Sequence, residues 1–301
     1  MLLAPQAIAQ QAGRVYRVAV FFSGGSATWG PHRDALHERL AQHGFVEGRN
    51  LQTTWRGGSS ERHADRQVAS ELVATQPDAI VAFTSEMTLA AQWATKSIPI
   101  VFSHVSDPIA DGVVKDYARP GGNTTGVSSL HRVLLGKRFE LLRELLPKSK
   151  RVAYVRWASI DSSPARAAAA RLGFELIDVP RIEAARVEAE RAEAMVLYSD
   201  LGSRLTTENF VRLASKLRIP LIVPNADAVA LGALLSYGTD PIEDTRLGAE
   251  QLVRVLKGAK PGALPVDQSS RFTIAVNLKT ARALGITIPQ TVLLRADKVI
   301  E

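Results

Sequence analysis

The sequence has no cysteine and few histidines, and these absences exclude several kinds of chemistry. Without cysteine, its 301 residues can form no disulfide bond, thiolate nucleophile or cysteine metal site. The 6 histidines show neither a His-Glu-x-x-His pattern nor another tight metal-ligand spacing. No apolar run approaches the roughly 18 residues that a membrane-spanning helix needs. We therefore predict no metal site, no cofactor and no membrane-spanning helix.

Common catalytic motifs are also missing. Gly24–Gly30 follows the first apolar run, but the second and third glycines of G-x-G-x-x-G would fall on Ser26 and Trp29. There is no Walker A lysine and no G-x-S-x-G nucleophile elbow. Asp107 and Asp200 could serve as a pair of hydrolytic carboxylates, yet aspartates commonly follow strands. No catalytic residue is predicted.

Long runs of one charge are absent as well. With 37 Lys and Arg against 30 Asp and Glu, the net charge is +7. The basic residues are scattered and are not interleaved with aromatic residues, which argues against a nucleic-acid partner. Hydrophobic residues make up 46% and charged residues 22%, which is ordinary for a globular protein. The length predicts two domains.

The N-terminus carries a possible export signal. Ala7-Ile8-Ala9 stands before Gln10, and Ala-x-Ala followed by a polar residue resembles a signal-peptidase cleavage site. The positive region and most of the apolar region of a complete signal are missing. Residues 1–13 are therefore interpreted as the remnant of a signal, with a disordered tail as the alternative.

From Val15 onward, apolar strand-like runs alternate with helical patterns, which predicts βαβ units and parallel sheets covered by helices. Half of this alternation precedes Arg119–Ser129 and half follows it. Pro-Gly-Gly-Asn within that segment is a turn signal, and Thr124–Val127 could form a linking strand. Two lobes with a cleft between them are therefore expected. The predicted strands are Val15–Phe22, Asn50–Trp55, Ala79–Phe83, Ile98–Phe102, Arg151–Trp157, Phe174–Val179, Ala194–Tyr198, Pro220–Pro224 and Ala233–Tyr237.

Helix boundaries are marked by residues with known terminal preferences. Pro31 can occupy the first turn of a helix that ends near Gly44. Thr206 is predicted to cap a later helix. Asp240-Pro241-Ile242-Glu243 resembles a capping box with proline at the first helical position.

The segment IPIVFSHVSDP, residues 98–108, points to a functional site. Its apolar half predicts a strand buried on both faces, and it then turns polar at Ser103, His104, Ser106 and Asp107. Open parallel sheets bind ligands outside the carboxyl ends of their strands. The other explanation is a loop that caps the next helix.

Polar and aromatic side chains recur after the other predicted strands in both halves. Helix caps alone would explain the serines, threonines, aspartates and asparagines. Caps need no aromatic rings, whereas clefts use them as apolar walls, so a ligand-binding cleft is favoured. Each aromatic residue could instead belong to the core. The predicted ligand-binding residues are Ser23, Ser26, Trp29, Thr84, Ser85, Glu86, Thr88, Ser103, His104, Asp107, Trp157, Ser199, Asp200, Asn225, Asp227 and Tyr237.

Several segments resemble a known family. They include RPGGNTTGVSSL, GKRFELLRELLP, LLSYGTD and the C-terminal stretch FTIAVNLKTARALGITIPQTVLLRADKVIE. Their order and spacing resemble the ABC transporter substrate-binding proteins of the tryptophan-binding type. The similarity extends from Val15 to Glu301, whereas Glu86 and Arg156 depart from the family pattern and leave the ligand open.

The resemblance implies a type I periplasmic-binding-protein fold, with two Rossmann-like α/β lobes, parallel sheets and a hinge. Residues 14–128 and about 239–262 would form the N-terminal lobe, and residues 129–238 and about 263–301 the C-terminal lobe. The implied protein is exported to the periplasm and is a monomer. Its lobes would close around an amino acid or aromatic acid, for delivery to an ABC permease in the inner membrane. A hydrolase using Asp107 or Asp200 as base and a ligand sensor for a membrane receptor are the alternatives.

Overall fold

The computed structural model describes residues 13–23, 29–59, 62–156, 160–180, 187, 191–199 and 204–301. Two sheets, each flanked by helices, make up this part of the chain. The possible export signal, apart from Gly13, lies outside the described residues.

The first sheet has 6 strands in the order β11-β5-β4-β3-β1-β2, and all of its neighbouring strands are parallel. Helices α1 and α8 cover one face, and α2 and α3 cover the other. The strands are β1 Tyr16–Ser23, β2 Leu51–Gly58, β3 Ala79–Phe83, β4 Ile100–Val105, β5 Thr124–Ser128 and β11 Asp267–Gln268. The helices are α1 Gly30–Gln42, α2 Arg62–Ala74, α3 Ser85–Ala94 and α8 Pro241–Leu256.

The second sheet has 7 strands in the order β13-β12-β10-β9-β8-β6-β7, with the β10–β12 pair antiparallel. Its strands are β6 Arg151–Arg156, β7 Glu175–Pro180, β8 Ala194–Leu197, β9 Leu221–Val223, β10 Leu235–Thr239, β12 Phe272–Asn277 and β13 Lys298–Ile300. The helices are α4 His131–Leu145, α5 Ser163–Arg171, α6 Arg204–Leu217, α7 Ala226–Ala230, α9 Leu278–Leu284 and α10 Gln290–Leu293.

The predicted α/β fold with two parallel-stranded lobes is confirmed. Each strand predicted from the sequence occurs, with ends shifted by a few residues. β4 continues three residues beyond its predicted end, to Val105, whose side chain is fully buried. A register shift against β5 between Phe102 and Val105 accommodates these residues. β11, β12 and β13 were not predicted.

Helix ends follow the predicted chemistry in two cases and differ in one. The Asp240 side chain accepts hydrogen bonds from the backbone N–H groups of Ile242 at 2.9 Å and Glu243 at 3.3 Å. Gly44 follows α1 with φ 87°, a conformation that glycine adopts readily. The helix predicted to begin after Thr206 begins at Arg204, so this threonine lies inside α6.

Three segments of chain connect the two lobes. They follow β5, β10 and β11, and we refer to them as the first, second and third crossings. Residues 267–268 pair with β5 in the first sheet, so the third crossing follows Gln268, whereas the sequence placed it near residue 262.

Candidate ligand-binding cleft

Thr84 has the most unusual backbone near the carboxyl edge of the first sheet. It precedes α3 with φ 79° and ψ 162°, which is strained for a β-branched residue. Its carbonyl oxygen accepts bonds from the N–H and the hydroxyl of Thr88, at 3.2 and 2.7 Å. Its own buried hydroxyl oxygen has no hydrogen-bond partner among the described residues. The strained residue therefore carries an unpaired hydroxyl group at this edge, which makes it a candidate ligand donor.

The amino end of α3 is also left without a side-chain cap. The first turn of a helix has unsatisfied N–H groups, and Thr84 gives them no side-chain bond. Those N–H groups and the positive end of the helix dipole favour an anion. An unpaired hydroxyl group and a helix end that favours an anion are thus adjacent at this edge.

Carboxylates gather beside the same helix end. The Asp111 carboxylate accepts the Ser85 hydroxyl at 2.5 Å. Burial raises the pKa of Asp111, and the nearby Asp107 and Glu86 carboxylates raise it further. Glu86 itself is exposed. This acidic edge can attract a cationic group of a ligand.

Arg132 and Tyr198 of the second lobe approach this edge. The Arg132 backbone N–H donates to the Ser106 hydroxyl at 2.9 Å, and its Nε lies 3.7 Å from the Asp107 carboxylate. Burial raises the pKa of Tyr198 to about 12, and the neighbouring Ser106 side chain opposes this rise. The two lobes are therefore in contact beside the carboxylates.

Two histidines and Trp29 pack together on the first lobe. The centroids of the His32 and His104 rings lie 4.9 Å apart, and that of Trp29 lies 4.8 Å from that of His32. Burial lowers the pKa of His32 to about 4 and that of His104 well below its usual value, so both are neutral at pH 7. His104 bonds the Pro241 carbonyl oxygen at 3.0 Å. This cluster ties the strand ends to α8.

Trp29 is a core residue in this structure. It is only 8% exposed, and its Nε1 donates to the Ser23 carbonyl oxygen at 2.8 Å. Ser103 and Thr88 are similarly buried, and their hydroxyls bond backbone carbonyls of Asp244 and Thr84. The sequence had left open whether the tryptophan lines the cleft or the core.

Arg138 organises the facing edge, and the sequence did not identify it. Its side chain is fully buried in α4, and its Nε donates to the Tyr237 carbonyl oxygen at 2.8 Å. Its Nη1 donates to the carbonyl oxygens of Tyr198 at 2.8 Å and Leu197 at 3.3 Å. A basic residue next to the apolar residue Phe139 was the available signal. The guanidinium fixes the ends of β8 and β10 together.

The remaining second-lobe candidates have separate positions. Asn225 caps α7, accepting the Ala228 N–H at 3.1 Å. Asp227 is exposed, and its charge partly opposes the burial that lowers the pKa of His32 in the first lobe. Tyr237 is half-buried, and Ser199 follows β8. Ser26, Trp157 and Asp200 lie outside the described residues.

Arg156 belongs to an ion pair on the second lobe. Its Nε lies 2.6 Å from the Asp178 carboxylate, which Arg166 also contacts at 2.9 Å. Among the described residues there is no group of three side chains that could hold a metal ion. The described helices include none long and apolar enough to cross a membrane.

A type I periplasmic-binding fold with two α/β lobes is the fold of a class of ligand-binding proteins. Residues 17–300 match the model of the ABC transporter substrate binding protein family, and the chain belongs to that family. The protein is therefore a binding protein rather than a hydrolase.

Three relatives illustrate this membership. The tyrosine-binding protein of Clostridioides difficile is 26% identical over 260 residues, which cover 82% of this chain and 74% of that protein. A conserved domain protein from Vibrio cholerae is 27% identical, with a TM-score of 0.86 over 95% of this chain and all (100%) of that one. The ABC domain from Streptococcus pneumonia in complex with L-Trp is 26% identical, with a TM-score of 0.84 and coverage of 95% and 100%.

Proposed function

We propose that this protein is the exported solute-binding component of an ABC importer and that its ligand is an aromatic amino acid. The ligand would lie between the lobes and pass to a permease in the inner membrane. In this role the protein would act in the periplasm as a monomer. The relatives that bind tyrosine and carry L-Trp support the ligand class.

The unpartnered hydroxyl of Thr84 beside the uncapped amino end of α3 carries the proposal. An amino acid's carboxylate can accept from this hydroxyl and from first-turn N–H groups, with the helix dipole favouring its negative charge. The Thr84 side chain does not cap this end, so a ligand need not displace it.

The ammonium group of the same ligand matches the acidic edge. Asp107 and Asp111 stand beside Ser85, the first residue of α3. Charge-assisted hydrogen bonds are stronger than neutral ones. A carboxylate site and an acidic site side by side favour an α-amino acid over a simple acid or amine.

Closure of the lobes would complete the site. The three crossings are the segments where hinge motion changes backbone angles. Arg132 and Tyr198 bring the second lobe to the acidic edge, close to where the ammonium group would lie. Micromolar affinity corresponds to about 8 kcal/mol, which a few charge-assisted bonds and aromatic packing can supply.

A ligand panel tests this function. Native mass spectrometry of freshly purified protein is expected to reveal a bound small molecule. In thermal-shift assays, L-tryptophan, L-tyrosine or L-phenylalanine should raise the melting temperature. Tryptamine, which lacks the carboxylate, and indole-3-propionate, which lacks the ammonium group, should not. Equal stabilisation by these analogues, or no stabilisation by any amino acid, would contradict the proposal.

A further inference from the structure

Asp244 is a buried carboxyl group that the ligand site does not use. It lies in the first turn of α8 and is 2% exposed. One carboxyl oxygen, Oδ2, accepts the Thr239 hydroxyl at 3.0 Å, and the other, Oδ1, accepts the Ser269 hydroxyl. Its two hydrogen bonds therefore go to two different crossings.

The remaining crossing joins the same network. The Ser269 N–H donates to the Ser128 carbonyl oxygen at 3.1 Å, and the Ser269 hydroxyl lies 3.3 Å from that oxygen. Ser128 ends β5 and begins the first crossing. One carboxyl group thus connects all the segments that link the lobes, either directly or through a single serine.

We propose that Asp244 is a positioning residue of the hinge, which holds the three crossings in one arrangement and thereby sets how readily the cleft closes. It would change ligand affinity without touching the ligand. The affinity part of this inference rests on the proposed function, whereas the hinge part does not.

The charge state of the carboxyl group matters to this network. A carboxylate accepts from both hydroxyls, whereas a protonated carboxyl must donate from one oxygen. Either the Thr239 or the Ser269 hydroxyl then has to direct its hydrogen atom to another acceptor. Ser269 has an alternative acceptor in the Ser128 carbonyl oxygen, so protonation can rearrange the ties without leaving a hydroxyl unbonded.

The surroundings favour protonation at mildly acidic pH. Burial raises the pKa of Asp244 to about 6, the Ser269 and Thr239 hydroxyls oppose this, and Asp240 and Glu243 raise it further. From the neighbouring elements, the neutral His104 and His32 reach Thr245, and the Tyr117 hydroxyl lies 3.5 Å from the Ser128 hydroxyl. Among the described residues, no cationic side chain forms a salt bridge with Asp244.

The sign of the pH effect follows from the raised pKa. A proton binds more tightly when Asp244 is buried than when it is hydrated, so acid favours the buried arrangement over any that exposes the group. Lowering the pH from 7.5 to 5 is expected to shift the lobes towards the arrangement described here. Above about pH 7 the lobe distribution should not change with pH.

Inter-lobe distances in the ligand-free protein provide the test. Because the chain has no cysteine, Lys115→Cys and Lys148→Cys place one spin label on each lobe. We expect the distance distribution to change between pH 7.5 and 5 and to lose this dependence in Asp244→Asn. Asp34→Asn removes an exposed carboxylate and serves as the control.

Partner variants keep the test decisive if Asp244 variants fold poorly. Thr239→Val and Ser269→Ala each remove one hydrogen bond to Asp244. At pH 7.5, both variants should therefore shift the distance distribution away from that of the unsubstituted protein, and both in the same direction as each other. If L-tryptophan binds, its Kd should change about tenfold in these variants. If L-tryptophan does not bind, the proposed function fails and the distances still test the hinge. Distances and pH response like those of the unsubstituted protein in Asp244→Asn and Thr239→Val, with only a lower melting temperature, would overturn the inference.

Discussion

Replacing Arg138 by methionine should strongly destabilise the second lobe. The guanidinium is fully buried and holds the carbonyl oxygens of Leu197, Tyr198 and Tyr237. Hydrogen bonds to charged groups contribute about 1.5–3 kcal/mol each, and a carbonyl left unsatisfied costs about 1–3 kcal/mol. The cost of burying the charge offsets part of that sum. We expect Arg138→Met to lower the free energy of unfolding by about 3 kcal/mol.

Urea denaturation followed by tryptophan fluorescence measures this change. Arg171→Met on the neighbouring α5 is the control, because that side chain is 66% exposed and should change stability by less than about 0.5 kcal/mol. Arg138→Lys should be intermediate, since lysine keeps the charge but not the planar donor set. An Arg138→Met variant within about 0.5 kcal/mol of the unsubstituted protein would refute the assigned role.

Three other predictions concern binding, packing and pH. Asp107→Ala should weaken L-tryptophan binding at least about tenfold and cost about 1 kcal/mol of stability, because the Asp107 carboxylate accepts the Ala110 N–H at 3.1 Å in a turn, and the element that follows it is β5 rather than a helix; calorimetry showing unchanged affinity would leave only this structural role. Gly238→Ala should destabilise by about 1–3 kcal/mol, because its Cβ would lie 2.0 Å from a backbone carbonyl oxygen, whereas Gly136→Ala has open space and should not destabilise. Burial lowers the pKa of His32 to about 4 and that of His131 to about 3, so protons bind preferentially to the unfolded chain below about pH 6.5. Urea midpoints should therefore fall between pH 7 and pH 5, and a constant midpoint would contradict this.

The parallel part of the fold was predictable because its strands are continuous apolar runs separated by helical patterns. β12 was harder to recognise because Phe272–Asn277 pairs antiparallel with β10, which local alternation does not reveal. β11 and β13 are only two and three residues long in this structure, too short for a periodicity. Their existence depends on partners distant in sequence.

The sequence predicted which edge of the sheets carries the candidate site, but it did not predict the backbone conformation or the burial of the residues there. Thr84 and Asp107 were identified because they follow apolar strands. The strain at Thr84 and the burial of Arg138 are tertiary features that no local pattern specifies. Trp29 shows most clearly what the sequence alone could not decide. An aromatic residue after a strand can belong to a cleft or to the core, and only its packing in the folded protein decides between them.

Isothermal titration of L-tryptophan and L-tyrosine into the protein and into Thr84→Val most directly tests the central claim. Valine keeps the β-branched shape at Thr84 but removes the hydroxyl group assigned to the ligand carboxylate. We predict one site of about micromolar affinity and, in Thr84→Val, binding weaker by about tenfold with a nearly unchanged melting temperature. Thr75→Val, at the far end of α2, should bind like the unsubstituted protein. No binding of either amino acid, or equal affinity in Thr84→Val, would contradict the account.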